Sequence, residues 1–328
     1  MFKQLKTGLS LALTAAVLWC APAQAGYSAM YVYGDSLSDT GNLQILSGGA
    51  FPNPAAGPYF NGRFSDGPVW VESLGTKLGL AADAAPFLLG GKNYAVAGAR
   101  TSGGGPTDPP SLLAQLGVLW NAPAADPNAL YVVVAGGNDM RDSRTAFPTM
   151  SAADMLGRQI LAEAAANNLI ASLGFLAGKG AKNVLVANLP NLGGTPEAAL
   201  LGVVSASADA SARFNALFPS IVAAGLGFGL SMDFLDLAAI SAAVLDDAIL
   251  NGGAVYGITN VSSPCAGFAF SSGAACSVSL FSDALHPSAA AHAIIGAAAF
   301  ATVPEPTTVV LVALALGLMV VARRRTQG

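Results

Sequence analysis

Charge and metal-binding side chains are both scarce in this chain. Only 10% of its 328 residues are charged, and it holds two histidines and three cysteines. Neither their number nor their spacing builds a metal cage, so no metal site is expected, and nothing implies a cofactor. Basic charge is especially thin in the body of the chain: residues 26–303 carry ten Lys and Arg against eighteen Asp and Glu, a formal charge of −8. Such a surface repels phosphate backbones, which excludes nucleic acid as a partner. Disorder is excluded by a hydrophobic content of 53%, ample for a core in a chain of this length. There is no internal repeat and no linker that would divide the body into two domains.

Part of the basic charge sits at the two ends. Lys3 and Lys6 precede an apolar run over residues 9–19, and Ala23-Gln24-Ala25 places small residues around a cleavage point. Residues 1–25 therefore read as a signal peptide, removed by signal peptidase to leave a mature chain starting near Gly26. A buried N-terminal helix is the alternative, disfavoured by a short run that ends at Pro22. Cys20 would leave with the signal, and Trp19 before it does not suit a lipid-attachment cysteine.

At the other end Val303-Pro304-Glu305-Pro306 is followed by an apolar stretch over residues 307–322 and then by Arg323, Arg324 and Arg325. The stretch is slightly short for a spanning helix, but arginines snorkel, and their position puts the C-terminus in the cytoplasm and the body outside. An exported body can keep disulfides, so Cys265 and Cys276 are expected to close a short loop, with free buried thiols as the alternative.

Short β-rich runs at residues 30–33, 93–97, 130–135, 183–189 and 230–234 alternate with helical stretches. That alternation predicts an α/β fold with a central five-stranded parallel sheet covered on both faces. Leu156, Ile160, Ala164, Ile170, Leu173 and Ala177 recur at helical spacing, which predicts a long helix over 154–177 ending near Gly178 and Gly180. Further helices are expected over 205–224, 237–250 and 288–302.

The chemistry is concentrated where strands end. Gly34-Asp35-Ser36-Leu37-Ser38-Asp39-Thr40-Gly41-Asn42 follows the first run. A serine there stands at the carboxyl edge of a parallel sheet with its own N–H beside it, the setting of an activated nucleophile. Asp283-Ala284-Leu285-His286-Pro287-Ser288 leads into the last helix. An aspartate three residues before a histidine can turn back to accept its Nδ1–H, so one loop supplies a base, His286, and its orienter, Asp283. His292, inside an Ala-rich helix, reads as a packing or half-buried histidine.

These blocks resemble the opening and closing motifs of the GDSL, or SGNH, family of esterases and lipases. Tyr94-Ala95-Val96-Ala97-Gly98-Ala99 and Gly136-Gly137-Asn138-Asp139 match its two middle blocks. Residues 57–67 and Tyr256-Gly257-Ile258-Thr259-Asn260 look like segments of its larger members, so the resemblance covers nearly all of residues 26–302. It implies a flavodoxin-like three-layer sandwich and a carboxylic ester substrate. Ser36, Asp283 and His286 are then catalytic, and the Ser36 N–H, the Gly98 N–H and the Asn138 side chain form the oxyanion hole. Arg63, Asp66, Asp35, Asp39 and Asp139 are expected to hold loops. One departure stands out: larger relatives carry an aromatic residue before the triad aspartate, where this chain has Ser282.

The C-terminal order of Pro-Glu-Pro, apolar stretch and arginines over residues 303–328 resembles the PEP-CTERM sorting signal of Gram-negative bacteria. It implies a membrane contact through the C-terminal helix until an exosortase-type enzyme processes it, with release to the cell surface or outside. A plain anchor is the alternative. The functional expectation is an exported serine esterase or lipase. Its rivals are an idle matrix-associated module on the same fold and an esterase for polysaccharide O-acetyl groups or phospholipids.

Overall fold

A run such as Leu-Tyr-Val-Val-Val at 130–134 has no polar face, so it is stable as a strand only when covered from both sides. A computed structural model, describing residues 26–105, 108–117 and 124–303, shows how that cover is provided. The expected signal peptide and nearly all of the expected sorting segment lie outside the described residues.

Ser28–Val303 forms one unit. Its sheet consists of β1 (Met30–Gly34), β2 (Leu130–Val134), β3 (Asn183–Ala187) and β4 (Ser231–Leu235), all parallel in the order β1-β2-β3-β4. The α-helices are α1 (Asn42–Leu46), α2 (Trp70–Lys77), α3 (Leu112–Leu116), α4 (Gly137–Ala146), α5 (Ala152–Lys179), α6 (Pro196–Leu200), α7 (Val204–Ala216), α8 (Phe218–Gly227), α9 (Leu237–Asn251) and α10 (Ala289–Thr302). Tyr131, Val133, Val184 and Val186 join Leu169, Leu173 and Leu176 of α5 and Phe214 of α7 in one core cluster. Helices α2 and α10 pack on one another and α10 reaches β4, completing the opposite layer.

The run at 93–97 lies where a fifth strand belongs, but its ladder is irregular. Val32 N–H donates to the Lys92 carbonyl, and the N–H groups of Tyr94 and Val96 donate to the carbonyls of Val32 and Gly34 (3.0, 2.7 and 3.1 Å). Only Asn93 forms a bridge to β1. The cause is side-chain competition: Asn93 Oδ1 accepts the Ala95 N–H, and Asn42 Nδ2 donates to the carbonyls of Asn93 and Ala95. With this segment beside β1, the spatial order in chain sequence is 2-1-3-4-5, the doubly wound order whose crevice opens at the carboxyl ends of β1 and β2.

Helix α5 spans the expected stretch, capped by Ser151 and ended by Gly180 in the left-handed conformation. Its buried face differs from the expected one. Leu156 and Ile160 are exposed, while Ala162, Ala165, Ala166, Leu169, Leu173 and Leu176 are buried. Alanine lets the helix lie close to its neighbours α4, α7 and α8, so the inner stripe mixes small residues with leucine. The stretch over 205–224 is two helices, broken at Leu217, because Pro219 has no N–H to give and occupies the first turn of α8.

A second, two-stranded parallel sheet, β5 (Asn260–Pro264) with β6 (Ser279–Phe281), was not anticipated. Cys265 and Cys276 are disulfide-bonded between its strands. It carries the chain into α10.

The carboxyl end of β1 is fixed from both sides. A Cβ on Gly34 would stand 2.3 Å from the Val134 carbonyl oxygen, so only glycine fits there. The buried Gln115 amide accepts the Gly34 N–H and donates to the Gly34 carbonyl, both at 2.8 Å. Gln115→Ala strands the Gly34 N–H and leaves the Gly34 carbonyl with the Val96 N–H alone, and it is expected to lower stability by about 1–3 kcal/mol in urea unfolding. An unchanged midpoint would show that the strand end does not need this clamp.

Candidate active site

Immediately after β1 the chain turns on Asp35, whose carbonyl accepts the N–H groups of Ser38 and Asp39, each at 3.0 Å. The Asp35 carboxylate accepts the Leu37 N–H (3.1 Å). Burial pushes its pKa up to about 6, partly offset by that N–H. Asp39 accepts four backbone N–H groups, those of Gly41, Asn42, Leu43 and Ala97. It thereby starts α1 and ties the turn to the neighbouring segment. Ser36 is left nearly buried at the crevice.

The structure brings His286 to it. His286 Nε2 lies 2.9 Å from Ser36 Oγ, and Nδ1 lies 2.7 Å from Asp283 Oδ2. The other carboxylate oxygen of Asp283 accepts the N–H groups of Leu285 and His286 (2.8 and 2.7 Å). Burial opposes the charge on Asp283, but His286 and these two N–H groups outweigh it and hold its pKa down at about 2. An ionised Asp283 accepts the Nδ1–H, which keeps the ring proton on Nδ1 and leaves the Nε2 lone pair facing the serine hydroxyl. The arrangement can move a proton from oxygen to nitrogen.

Sequence reasoning missed the partners around this pair. The Tyr59 hydroxyl donates to Asp283 Oδ2 (2.8 Å). The Phe64 ring lies against His286 at 4.9 Å between centroids, and the Phe268 ring meets Tyr59 edge-on at 5.0 Å. The only available signal was the aromatic content of a Gly- and Pro-rich loop. Arg63 pairs with Glu72 at 2.6 Å, away from the reacting atoms.

Ser282 has a defined task despite its unusual identity. Its hydroxyl lies 2.7 Å from Asp66 Oδ1 and accepts the Asp66 N–H at 3.1 Å, while Asp66 Oδ1 also accepts the Ala289 N–H that opens α10. Three segments meet at one carboxylate, where an aromatic ring could form none of these bonds.

Gly98 and Asn138 reach the same cleft as Ser36 and His286. Gly98 has φ +83°, and a Cβ there would press on Pro109 at 3.0 Å. Asn138 is pinned at both ends of its amide: Nδ2 donates to the Ala99 carbonyl (2.9 Å) and Oδ1 accepts from Arg141 (3.1 Å). One Nδ2 hydrogen remains free to donate. Among the described residues the N–H groups of Ser36 and Gly98 have no protein acceptor. Arg141 is in turn paired with Glu197, which also pairs with Arg144. The Glu197 N–H donates to the Ala284 carbonyl at 2.7 Å, linking this network to the Asp283–His286 loop. Burial opposes ionisation of Glu197, and the two guanidinium groups overcome it, so its pKa is lowered.

His292 lies apart from the pair. It is fully buried, Nδ1 accepts the Trp70 N–H (3.3 Å), and burial, with His286 adding to it, lowers its pKa to about 3. It is a neutral packing residue. Asp139 accepts the Thr101 N–H and hydroxyl, a loop tie like that of Asp39.

A family model described as GDSL-like Lipase/Acylhydrolase matches residues 30–299, and a PEP-CTERM protein-sorting motif matches residues 302–325. The sorting motif marks the chain as exported. Among curated proteins, the chain is 29% identical over 225 residues to a phosphatidylcholine-sterol acyltransferase of Aeromonas hydrophila, covering 63% of this chain and 58% of that protein. It is 34% identical over 149 residues to the esterase EstA of Pseudomonas aeruginosa, covering 36% and 23% respectively. The chain thus spans less than two thirds of the length of these curated relatives. An acetylxylan esterase structure from Geobacillus stearothermophilus is 15% identical, with 83% of this chain and 93% of that chain covered at a TM-score of 0.44.

The lowered pKa of Asp283 sets a pH test. A depressed carboxyl contributes stability above its unfolded pKa of about 3.9, and that contribution is lost as pH falls through about 2. The stability gap between wild type and Asp283→Asn is therefore expected to narrow between pH 5 and pH 2, by up to about 2 kcal/mol, in urea unfolding. A gap independent of pH would mean that the carboxylate is not held ionised.

Proposed function

This chain belongs to the GDSL-like lipase/acylhydrolase family, and we propose that it is an exported serine ester hydrolase working through an acyl-enzyme on Ser36. One observation carries the reading: the continuous hydrogen-bonded series from Ser36 Oγ through His286 to Asp283. In the proposed reaction His286 Nε2 takes the hydroxyl proton as Ser36 Oγ bonds to the ester carbonyl carbon. Asp283 steadies the imidazolium. The carbonyl oxygen, now anionic, is held by the N–H groups of Ser36 and Gly98 and by Asn138 Nδ2.

Collapse of this adduct breaks the bond to the alcohol oxygen, which takes the proton back from His286. Water then attacks the acyl-enzyme with His286 again accepting the proton, and the acid departs as Ser36 regains its hydrogen. Arg141 supports the step from behind by fixing which end of the Asn138 amide donates. An idle matrix-binding module would have no use for a nucleophile, a base and free donors facing one cleft.

The PEP-CTERM motif implies sorting by an exosortase-type enzyme. In our reading residues 1–25 are removed by signal peptidase, residues 26–302 form the hydrolase, and residues 303–328 hold it to the inner membrane until processing. The natural ester is a carboxylic ester met outside the cytoplasm.

The purified protein is expected to hydrolyse p-nitrophenyl esters. Ser36→Ala is expected to reduce kcat by a factor of about 10⁴ or more, and Asn138→Ala by about 10²–10³. Turnover unaffected by Ser36→Ala would refute the assignment of the nucleophile.

A further inference from the structure

Ser36, Asn138, Arg141, Leu285 and His286 border two cavities rather than one. The cleft that contains Gly98 also contains Tyr59, Arg141, Glu197 and Asp108, so its wall is partly charged. The second cavity runs between α9 and α10. Leu237, Ile240 and Leu245 face it from α9, Ile294 and Ile295 from α10, and Leu285 from the loop that carries His286.

The spacing from Leu237 through Ile240 and Val244 to Leu245 marks one helical stripe. Stripes of this kind normally interdigitate with a neighbour. Here Ile240, Leu285, Ile294 and Ile295 remain only half-buried around an apolar space. Beside Ser36 its wall also carries Asp35, Asn138 and Arg141, and the remaining polar side chains make local hydrogen bonds. Ser241 donates to the Leu237 carbonyl, Thr195 donates to Leu192 and caps Ala198, and Asn191 accepts the Gly193 N–H. Ser241 and Thr195 therefore offer little to a polar ligand.

Resting on the hydrolase reading above, we propose that this cavity holds the acyl chain of the ester, an unbranched alkyl chain of medium length, while the alcohol occupies the open cleft. The two-step chemistry requires such a division. The acyl group stays bonded to Ser36 Oγ while the alcohol leaves and water enters, so a dry pocket suits the group that stays and an open polar cleft suits the exchange. The lining of α9 from Leu237 to Leu245 spans about 12 Å of helix, the reach of an extended chain of roughly eight to ten carbons. O-acetyl groups on a polysaccharide would leave this space unfilled.

The experiment is a series of p-nitrophenyl esters from acetate to decanoate. In wild type kcat/KM is expected to rise about twofold to fourfold per added methylene up to roughly eight carbons. In Ile294→Trp, and separately in Ile240→Phe, the ratio of octanoate to acetate kcat/KM falls at least tenfold. A parallel measurement follows octanoate binding to the Ser36→Ala protein by calorimetry, where the same pocket variants weaken binding at least tenfold. Dioctanoyl phosphatidylcholine and a soluble octanoyl glyceride, run side by side, distinguish a phospholipid source of the chain from a neutral one.

Acetate turned over as well as octanoate in wild type, or pocket variants that leave the ratio unchanged, overturns the acyl-pocket proposal while the hydrolase reading stands. If no ester is turned over, yet octanoate binds and the pocket variants abolish that binding, the hydrolase reading fails and the alkyl pocket stands.

Discussion

The hydrogen bond between His286 Nε2 and Ser36 Oγ, 2.9 Å long, joins residues 250 positions apart, and much of the fold serves to hold its two ends still. Proton transfer to a side-chain base tolerates little displacement of either atom. Ser36 inherits its position from β1, whose end is clamped by Gln115 and by the backbone of β2. His286 sits on a short connection between β6 and α10. The Ser288 hydroxyl caps α10 and donates to the Ser279 carbonyl, and Ser282 and Asp66 tie the same connection to the loop that carries Tyr59. Neither end depends on a flexible side chain alone.

The doubly wound strand order explains why these ends meet. Connections leaving β1 and β2 diverge to opposite faces, and the crevice between their carboxyl ends is lined by whatever follows each strand. Here that is Ser36 after β1, Asn138 after β2 and Gly98 after the irregular edge segment. Three hydrogen-bond donors from three neighbouring strands converge without any long loop. The Arg141–Glu197 pair then couples the Asn138 side of the crevice to the Asp283–His286 side. Ser36, the proposed nucleophile, stands where a partly charged cleft adjoins a largely apolar cavity.

The residues to which the proposed mechanism gives catalytic roles could be named from sequence, because the chemistry dictates their type. A nucleophile, a base and its orienter have few substitutes, and each falls at a strand end or helix start. The strand Leu130–Val134 was equally plain, because burial on both faces demands a continuous apolar run. Tyr59, Arg141 and Glu197 were not legible. Tyr59 meets Asp283 across 224 residues and Arg141 meets Glu197 across 56, and no local pattern encodes such distances. The inner face of α5 is not legible at its first turns, because Leu156 and Ile160 are exposed and the small Ala162, Ala165 and Ala166 are buried. The β5–β6 pair escaped notice because Asn-Val-Ser-Ser-Pro lacks the alternation that marks a strand.

The most direct test of this account is a crystal structure of the protein after reaction with an alkyl p-nitrophenyl phosphonate. The account predicts phosphorus bonded to Ser36 Oγ, with the phosphoryl oxygen within hydrogen-bonding reach of the Ser36 and Gly98 N–H groups and of Asn138 Nδ2. An adduct on another residue, no adduct at all, or a phosphoryl oxygen turned away from these three donors would contradict it.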